Sequence, residues 1–492
     1  MKGAVRFRLI PAIDRSNRFR SWAATGWGKW VALTILGSIL ALIRVSWWRE
    51  ATVLLAFITF LPSFRRWWVL LGAFWWMFRF SPSIHRVQSI LGTLEGGGSR
   101  ISRPWMIAMA VGVLTLSWFF FHLTRRGVLK HPVTTLLLFT LWLFVSVSLL
   151  PAGSPAWIVL WTFLLIWGHY FWYVAYSLDN ALRSESTPFL TQLGYFHPFW
   201  GQLGGISVVP TPKGATNLTR IECRTEEELA IARLKGIKLV LWGAVVWLGL
   251  LLLDHLITGA KTRLDFFYPW SATFHLPALP SAITRLQRGE NLSPWLCWGV
   301  LLWFFFKKLL LLTWGGAIIV AVCRMAGFNA LRVTYRAFES RTFVEFWNRY
   351  NFYFKELLVD LFFYPVFVRY FKGRPKLRLF MATLAAATFG NCLFHLLFDL
   401  HNVMKFGLAR SLVSFGSYLF FATLLGITIG VSQLRAERHR ELLSSGWFRR
   451  NVLCRINVLG VSALLEIFGT WDPNFALTDY FRFFFALFGV RC

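Results

Sequence analysis

Acidic residues are scarce in this chain. Only 22 Asp and Glu stand against 52 Lys and Arg in 492 residues, a net charge of +30. A soluble protein this basic would point to nucleic acid. The basic residues argue against that, because they sit in short gaps between apolar runs, as Arg65-Arg66, Arg125-Arg126, Lys307-Lys308 and Arg449-Arg450 do. Loop charges that meet anionic headgroups have this distribution. Cysteine is scarce too, with six scattered residues and no C-x-x-C pair, which points away from a disulfide scaffold and a thiolate metal site. Most of the six lie in apolar runs, as free thiols of packed helices do. The terminal Gly-Val-Arg-Cys492 is not a prenylation box. No Walker A loop, G-x-S-x-G or H-E-x-x-H occurs, and the ten histidines form no metal-ligand cluster, so no metal is expected. H-x-x-x-x-D is missing as well. His395 and Asp399 come nearest to it, one residue too close. Internal repeats and low-complexity tracts are absent.

Apolar residues are abundant. They make up 56% of the chain and aromatics 18%, with 27 Trp and 50 Phe, and the mean hydropathy is +0.54. Soluble domains reach about 45–50% apolar only when Gly is counted. Trp and Tyr favour membrane–water interfaces, where an apolar ring with a polar edge suits both phases. Apolar runs begin near Val31, Ala51, Trp67, Pro104, Val133, Ala156, Leu239, Trp295, Leu309, Leu379, Leu412, Val452 and Tyr480. A full crossing takes about 20 residues, which several runs supply and others, such as 67–78 and 480–490, do not. The sequence thus predicts an all-α polytopic membrane protein with about ten to twelve membrane helices. Short runs would be re-entrant, tilted or interfacial, and residues 1–492 would form one membrane-embedded domain. The basic N-terminus is followed by a run without a small-residue cleavage site, which predicts a retained first span. Basic loops flank several spans on both sides, leaving orientation open.

One polar stretch, residues 177–238, interrupts the pattern. Gly204-Gly205, Pro210, Pro212 and Gly214 predict an irregular loop. Thr225 followed by Glu228 has capping-box spacing, and predicts a helix running into the span at Leu239. The sequon Asn217-Leu218-Thr219 is short enough to arise by chance. A second unusual stretch, residues 339–371, is too charged for lipid and too aromatic for a linker. Thr342 and Glu345 again have capping-box spacing, and Glu345 and Arg349 are four apart in the favourable order for an ion pair. Helical spacing would place Asn348, Asn351 and Lys355 on one face, opposite Phe346, Phe354 and Leu357. A polar face of this kind is more often solvated than functional.

His395 lies late in the apolar run from Leu379, with Asn391 four residues before it and Asp399 four after. Ionisable groups at membrane depth are costly and often functional. One helix face would therefore present Asn, His and Asp. The residues alone leave two readings equal: a histidine that fixes packing by a hydrogen bond, and a histidine that does chemistry.

The run Cys323-Arg-Met-Ala-Gly-Phe328, then 335–351 with Phe346-Trp347-Asn348-Arg349 and Asn351, resembles the signature of membrane-bound O-acyltransferases, above all bacterial members that acylate cell-surface polysaccharides. Tyr364-Pro365 is similar to the short motif that follows there, and Lys307-Lys308 to one that precedes it. The resemblance covers a signature region at 306–400. His395 stands in Phe-His-Leu where the family usually has Trp-His-Gly, Ala317 replaces an acidic residue, and Asn351 matches lipid- and sterol-acylating members. The resemblance implies helices around a central tunnel, His395 and Asn351 as catalytic residues, and Asp399, Asn391, Asn348 and Arg349 as supporting ones. It implies an acyl thioester such as acyl-CoA as donor and no bound cofactor. The acceptor would be a hydroxyl on a cell-surface glycan or lipid, and an accessory transferase protein is an admissible partner. The location implied is the bacterial inner membrane. The rival is a transporter or non-catalytic scaffold in which His395, Asp399 and Asn351 line a polar path.

Overall fold

A computed structural model describes residues 10–45, 47–80, 103–182, 189–196, 198–202, 213–259, 274–435 and 446–490. Among these residues every regular element is a helix, and the one β-bridge, Glu222 with Phe328, is isolated. Six helices are long and apolar enough to cross a membrane: Ile107–Arg125, Pro155–Leu182, Glu226–Thr258, Pro294–Met325, Pro375–Phe398 and Leu408–Leu434. Two further pairs, Asn17–Ala24 with Gly26–Leu42 and Trp48–Phe60 with Pro62–Met77, are bent by 94° and 113° and bring the number to eight if each is one span. Pro132–Ser148 is a shorter apolar helix. The protein is thus an all-helical, multi-pass membrane protein. Runs counted singly in the sequence are joined in the fold. Those at Trp295 and Leu309 form one 32-residue helix, because Lys307-Lys308 between them does not interrupt helical hydrogen bonding. Those at Ala51 and Trp67 are the two arms of the 113° bend, whose corner carries Pro62.

The described chain divides into two compact units, each drawn from three stretches. One comprises Met1–Arg79, Asn180–Leu250 and Leu310–Thr334. Its main helix starts with the expected capping box. Glu228 N donates to Thr225 Oγ1 at 3.1 Å, and Thr225 N donates to Glu228 Oε2 at 3.3 Å. From there Glu226–Thr258 runs unbroken past Leu239. Small residues let the segment 310–325 approach closely: a Cβ on Gly236 would meet Ala321 O at 3.0 Å, and one on Gly243 would meet Ile318 Cδ1 at 3.1 Å. The polar stretch 177–238 is helical over much of its described length. Gly214–Ile221 is a helix that buries Ala215 and Leu218 and carries the sequon. Gly204, Gly205, Pro210 and Pro212 lie outside the described residues.

The other unit comprises Phe80–Asp179, Leu251–Leu309 and Tyr335–Cys492. Its aromatic centre is the helix that starts at Pro155. Trp167, Tyr170, Phe171 and Trp172 on it are all buried. Two π-helical segments, Val359–Phe363 and Ala385–Gly390, meet where Phe362 lies against Gly390. Such bulges recur at functional sites. The second bulge leads directly into Asn391–Phe398, which carries His395.

Candidate functional site around His395

Asn391, His395 and Asp399 share one helical face as the spacing predicts, and the fold adds partners from other helices. His395 Nδ1 lies 3.9 Å from Asp399 Oδ2, an electrostatic contact too long for a hydrogen bond. The helix ends at Asp399, whose backbone (φ −106°, ψ 24°) leaves the α region and starts the next helix, Leu400–Phe406. That break returns a second imidazole to the carboxylate: His401 Nδ1 lies 3.8 Å from Asp399 Oδ1. The ring of Tyr418, from Leu408–Leu434, is 4.4 Å from that of His395, and its hydroxyl donates to Asn391 Oδ1 at 2.8 Å. Asn391 and Tyr418 are both buried. His395 is not sealed off, since its side chain is 30% exposed.

Apolar neighbours hold this helix in place. Trp172 stacks on Phe394 at 5.7 Å, and Gly168 lets the Trp172 helix approach so closely that a Cβ there would sit 2.7 Å from Leu397 O. Phe354 lies 4.8 Å from Phe394 and 6.1 Å from His395. The stretch after Asn351, which belongs to the signature-like region, is thus packed against the His395 helix.

Of the second capping box only the Thr342 half forms, since Glu345 Oε2 accepts from Arg341 N at 2.8 Å and not from Thr342 N. Glu345 N donates to Thr342 Oγ1 at 3.1 Å, and Glu345 pairs with Arg349. The shared face of Asn348, Asn351 and Lys355 does not form. Helix Phe343–Tyr350 stops at Asn351 (φ −140°, ψ 85°), and Phe352–Leu358 starts after it. Asn351 closes the first helix and caps the second, accepting from Phe354 N at 3.4 Å. An asparagine side chain competes with the backbone for hydrogen bonds, so it suits a helix boundary better than a helix interior. Asn348 is exposed. Arg349 is held by Glu345, and its carbonyl accepts from Tyr335 N at 2.9 Å. The site thus gathers Asn391, His395 and Asp399, while Asn348 and Arg349 serve the surface of the neighbouring segment.

The Arg-Met-Ala-Gly-Phe run has a local role of its own, as the end of Pro294–Met325. Phe328 N reaches back to Cys323 O at 3.2 Å, and Gly327 takes φ +87°. Arg324 Nε and Nη2 donate to Ala330 O at 3.0 and 2.8 Å. Glycine in the left-handed region with a buried apolar residue after it is a helix stop.

Three residues near the site were not singled out by sequence. His401 follows Asp399 closely, but no helical spacing links the two across the break. Tyr418 belongs to a stripe, Ser411, Ser414, Ser417 and Tyr418, whose members are all buried and which was legible as polar residues three or four apart in an apolar run. Glu466, 4% exposed, takes Lys308 Nζ at 2.5 Å, and Lys307 Nζ binds Asp254 Oδ1 at 2.7 Å. Burial, and then the charge of Glu466, push the Tyr350 hydroxyl well above the usual phenol range. Among the described residues no group of three His, Cys, Asp or Glu is arranged to hold a metal ion. No family model matches the chain, and no curated protein matches it.

Proposed function

We propose that this protein is a membrane-embedded O-acyltransferase that moves an acyl group from a thioester donor to a hydroxyl acceptor on a glycan or lipid. The observation that carries this reading is the packing of Phe354, three residues after Asn351, against His395 and Phe394. Two stretches far apart in sequence, both with family-like residues, meet at one partly accessible imidazole. Asp399 faces Nδ1, which leaves Nε2 for substrate. In the reaction the acceptor oxygen attacks the thioester carbonyl. The C–O bond forms as the C–S bond breaks, His395 takes the hydroxyl proton, and the departing thiolate receives it. Asp399 and the face of Tyr418 keep the His395 ring in place between those transfers. Asn391, anchored by Tyr418, fixes the helix one turn away. The resemblance also supports a bacterial inner-membrane setting and an accessory transferase as partner.

The test uses membrane vesicles that contain their native acceptors and a radiolabelled acetyl thioester. His395→Ala should remain folded and inserted while transfer falls about 10²–10⁴-fold, the usual contribution of general acid–base catalysis. Unchanged transfer by folded His395→Ala protein rejects the proposal. A specific observation favours the rival, a transporter or scaffold. Lys307 and Lys308 lie on Pro294–Met325 and the partner of Lys307, Asp254, on Glu226–Thr258, both long and apolar enough to cross a membrane, where charges often mark ion or solute paths; Glu466, the partner of Lys308, ends the shorter helix Cys454–Glu466. That reading expects uptake into proteoliposomes and no thioester consumption.

A further inference from the structure

The unit made of Met1–Arg79, Asn180–Leu250 and Leu310–Thr334 contains a cavity of about 490 Å³ that the acyltransfer chemistry does not use. Arg65, Arg66, Arg224, Glu222, Glu226 and Ser63 are among the residues that line it. Its wall is rigidly built. Cys223 N donates to Gly327 O at 2.9 Å and Asn329 N to Ile221 O at 2.8 Å, tying the linker between two helices to the end of a third. Arg65 clamps this junction, with Nη1 donating to Cys223 O at 2.9 Å and lying 3.4 Å from both Gly327 O and Glu222 Oε1. Gly327 has no room for a side chain, since a Cβ would meet Leu229 Cδ2 at 2.8 Å and Arg65 Cζ at 3.0 Å. The backbone is shaped to admit the guanidinium.

The charges of the lining do not balance. Glu222 is shared, with Oε1 toward Arg65 and Oε2 toward Arg66 at 3.2 Å. Glu226 is paired at 3.3 Å with Lys29, which is not part of the lining. Arg224 is exposed and adds a third guanidinium. Arg65 is only 5% exposed, and its buried Nε has no hydrogen-bond partner. A buried cation with too little counter-charge is unfavourable unless an anion completes it. Guanidinium forks match phosphate oxygens in geometry and charge, and the volume lies within the usual range for small-molecule sites, about 300–1,000 Å³.

We infer that this cavity binds a phosphate ester, held by Arg65 at its base and by Arg66 and Arg224 at its mouth. Glu222 keeps the two neighbouring guanidiniums apart and aligned while the site is empty. The phosphate belongs either to a soluble ester or to a phospholipid headgroup.

The full-length protein in detergent should show a thermal midpoint raised by inorganic pyrophosphate at constant ionic strength, relative to chloride. Arg66→Gln and Arg224→Gln remove side chains that carry little of the packing and should leave the helical spectrum unchanged. Each should raise the pyrophosphate concentration needed for half the shift by about tenfold, the scale of one charge-assisted hydrogen bond. A shift by pyrophosphate that the variants lose assigns the site to soluble esters. A shift seen only in nanodiscs with phosphatidic acid, absent with phosphatidylcholine and lost in the variants, assigns it to a lipid. No shift in either format, or an equal shift in wild type and variants, overturns the inference. Neither arm involves acyl transfer, so the result is independent of the function proposed for His395.

Discussion

Asn391 has few alternatives for its side chain. It is 2% exposed on an apolar helix, and its carbonyl oxygen takes the Tyr418 hydroxyl at 2.8 Å. The same tyrosine ring lies 4.4 Å from His395. One residue therefore satisfies the amide with its hydroxyl and confines the imidazole with its face. Tyr418→Phe separates these roles, because it keeps the ring and removes the donor. Side-chain hydrogen bonds between membrane helices average only about 0.6 kcal/mol, but an acceptor left buried and unsatisfied costs about 1–3 kcal/mol. The second figure applies here, since water has no access to Asn391. Tyr418→Phe should lower the thermal midpoint in detergent and reduce acyl transfer less than His395→Ala does. Tyr418→Leu should reduce transfer further, because His395 then loses the wall that orients it. Wild-type midpoint and rate in Tyr418→Phe would show that the hydroxyl bond carries no weight.

Elements meet in this protein through glycine and aromatic surfaces. A Cβ on Gly168 would stand 2.7 Å from Leu397 O. The obstacle is a backbone atom, so no rotamer change relieves it, and the helix bearing His395 would have to move. Gly168→Ala should cost about 1–3 kcal/mol, as overpacking does, and should impair transfer although it adds one methyl group on a different helix. Gly249→Ala is the control, because no atom lies within 4 Å of that position. Equal stability of the two variants, read by thermal unfolding, would mean that the approach at Gly168 is not tight. The elements themselves were legible in the sequence wherever their causes are local. Thr225 with Glu228 and Thr342 with Glu345 are within one turn of each other, so spacing alone reveals their caps. Asn351 was misread for the opposite reason. Three- and four-residue spacing fits a continuous helix as well as two helices that share a boundary, and φ decides between them. Tyr418 and His401 reach the site across a helix gap and a helix break, and no spacing rule encodes either. His395 and Asp399 needed only 3.6 residues per turn to be placed together.

A molecule with a net charge of +30 that crosses membranes must keep its charges in loops or neutralise them inside. Lys307 and Lys308 are the second case, near the middle of the 32-residue helix Pro294–Met325. Each finds a carboxylate on a different helix, Asp254 on Glu226–Thr258 and Glu466 on Cys454–Glu466. Glu466 is the more deeply buried acid, with 5% of its side chain exposed against 21% for Asp254. Breaking a buried pair by removing one partner costs about 3–5 kcal/mol, whereas replacing both with apolar residues of similar size is often neutral or stabilising. Lys308→Met should therefore destabilise strongly, because it strands the buried Glu466; Glu466→Met should cost less, since 40% of the Lys308 side chain is exposed, and the double variant should recover most of the loss of Lys308→Met when unfolding is followed in detergent. The Lys307–Asp254 pair should show a smaller effect, because water reaches its acid. The double variant also tests function. If the pair only joins helices, restored stability brings restored acyl transfer. If Glu466 and Lys308 belong to an ion path, the double variant is stable but does not move its solute, and transport into proteoliposomes separates the two outcomes. Destabilisation that adds, with no recovery in the double variant, would mean that Lys308 and Glu466 act through other partners.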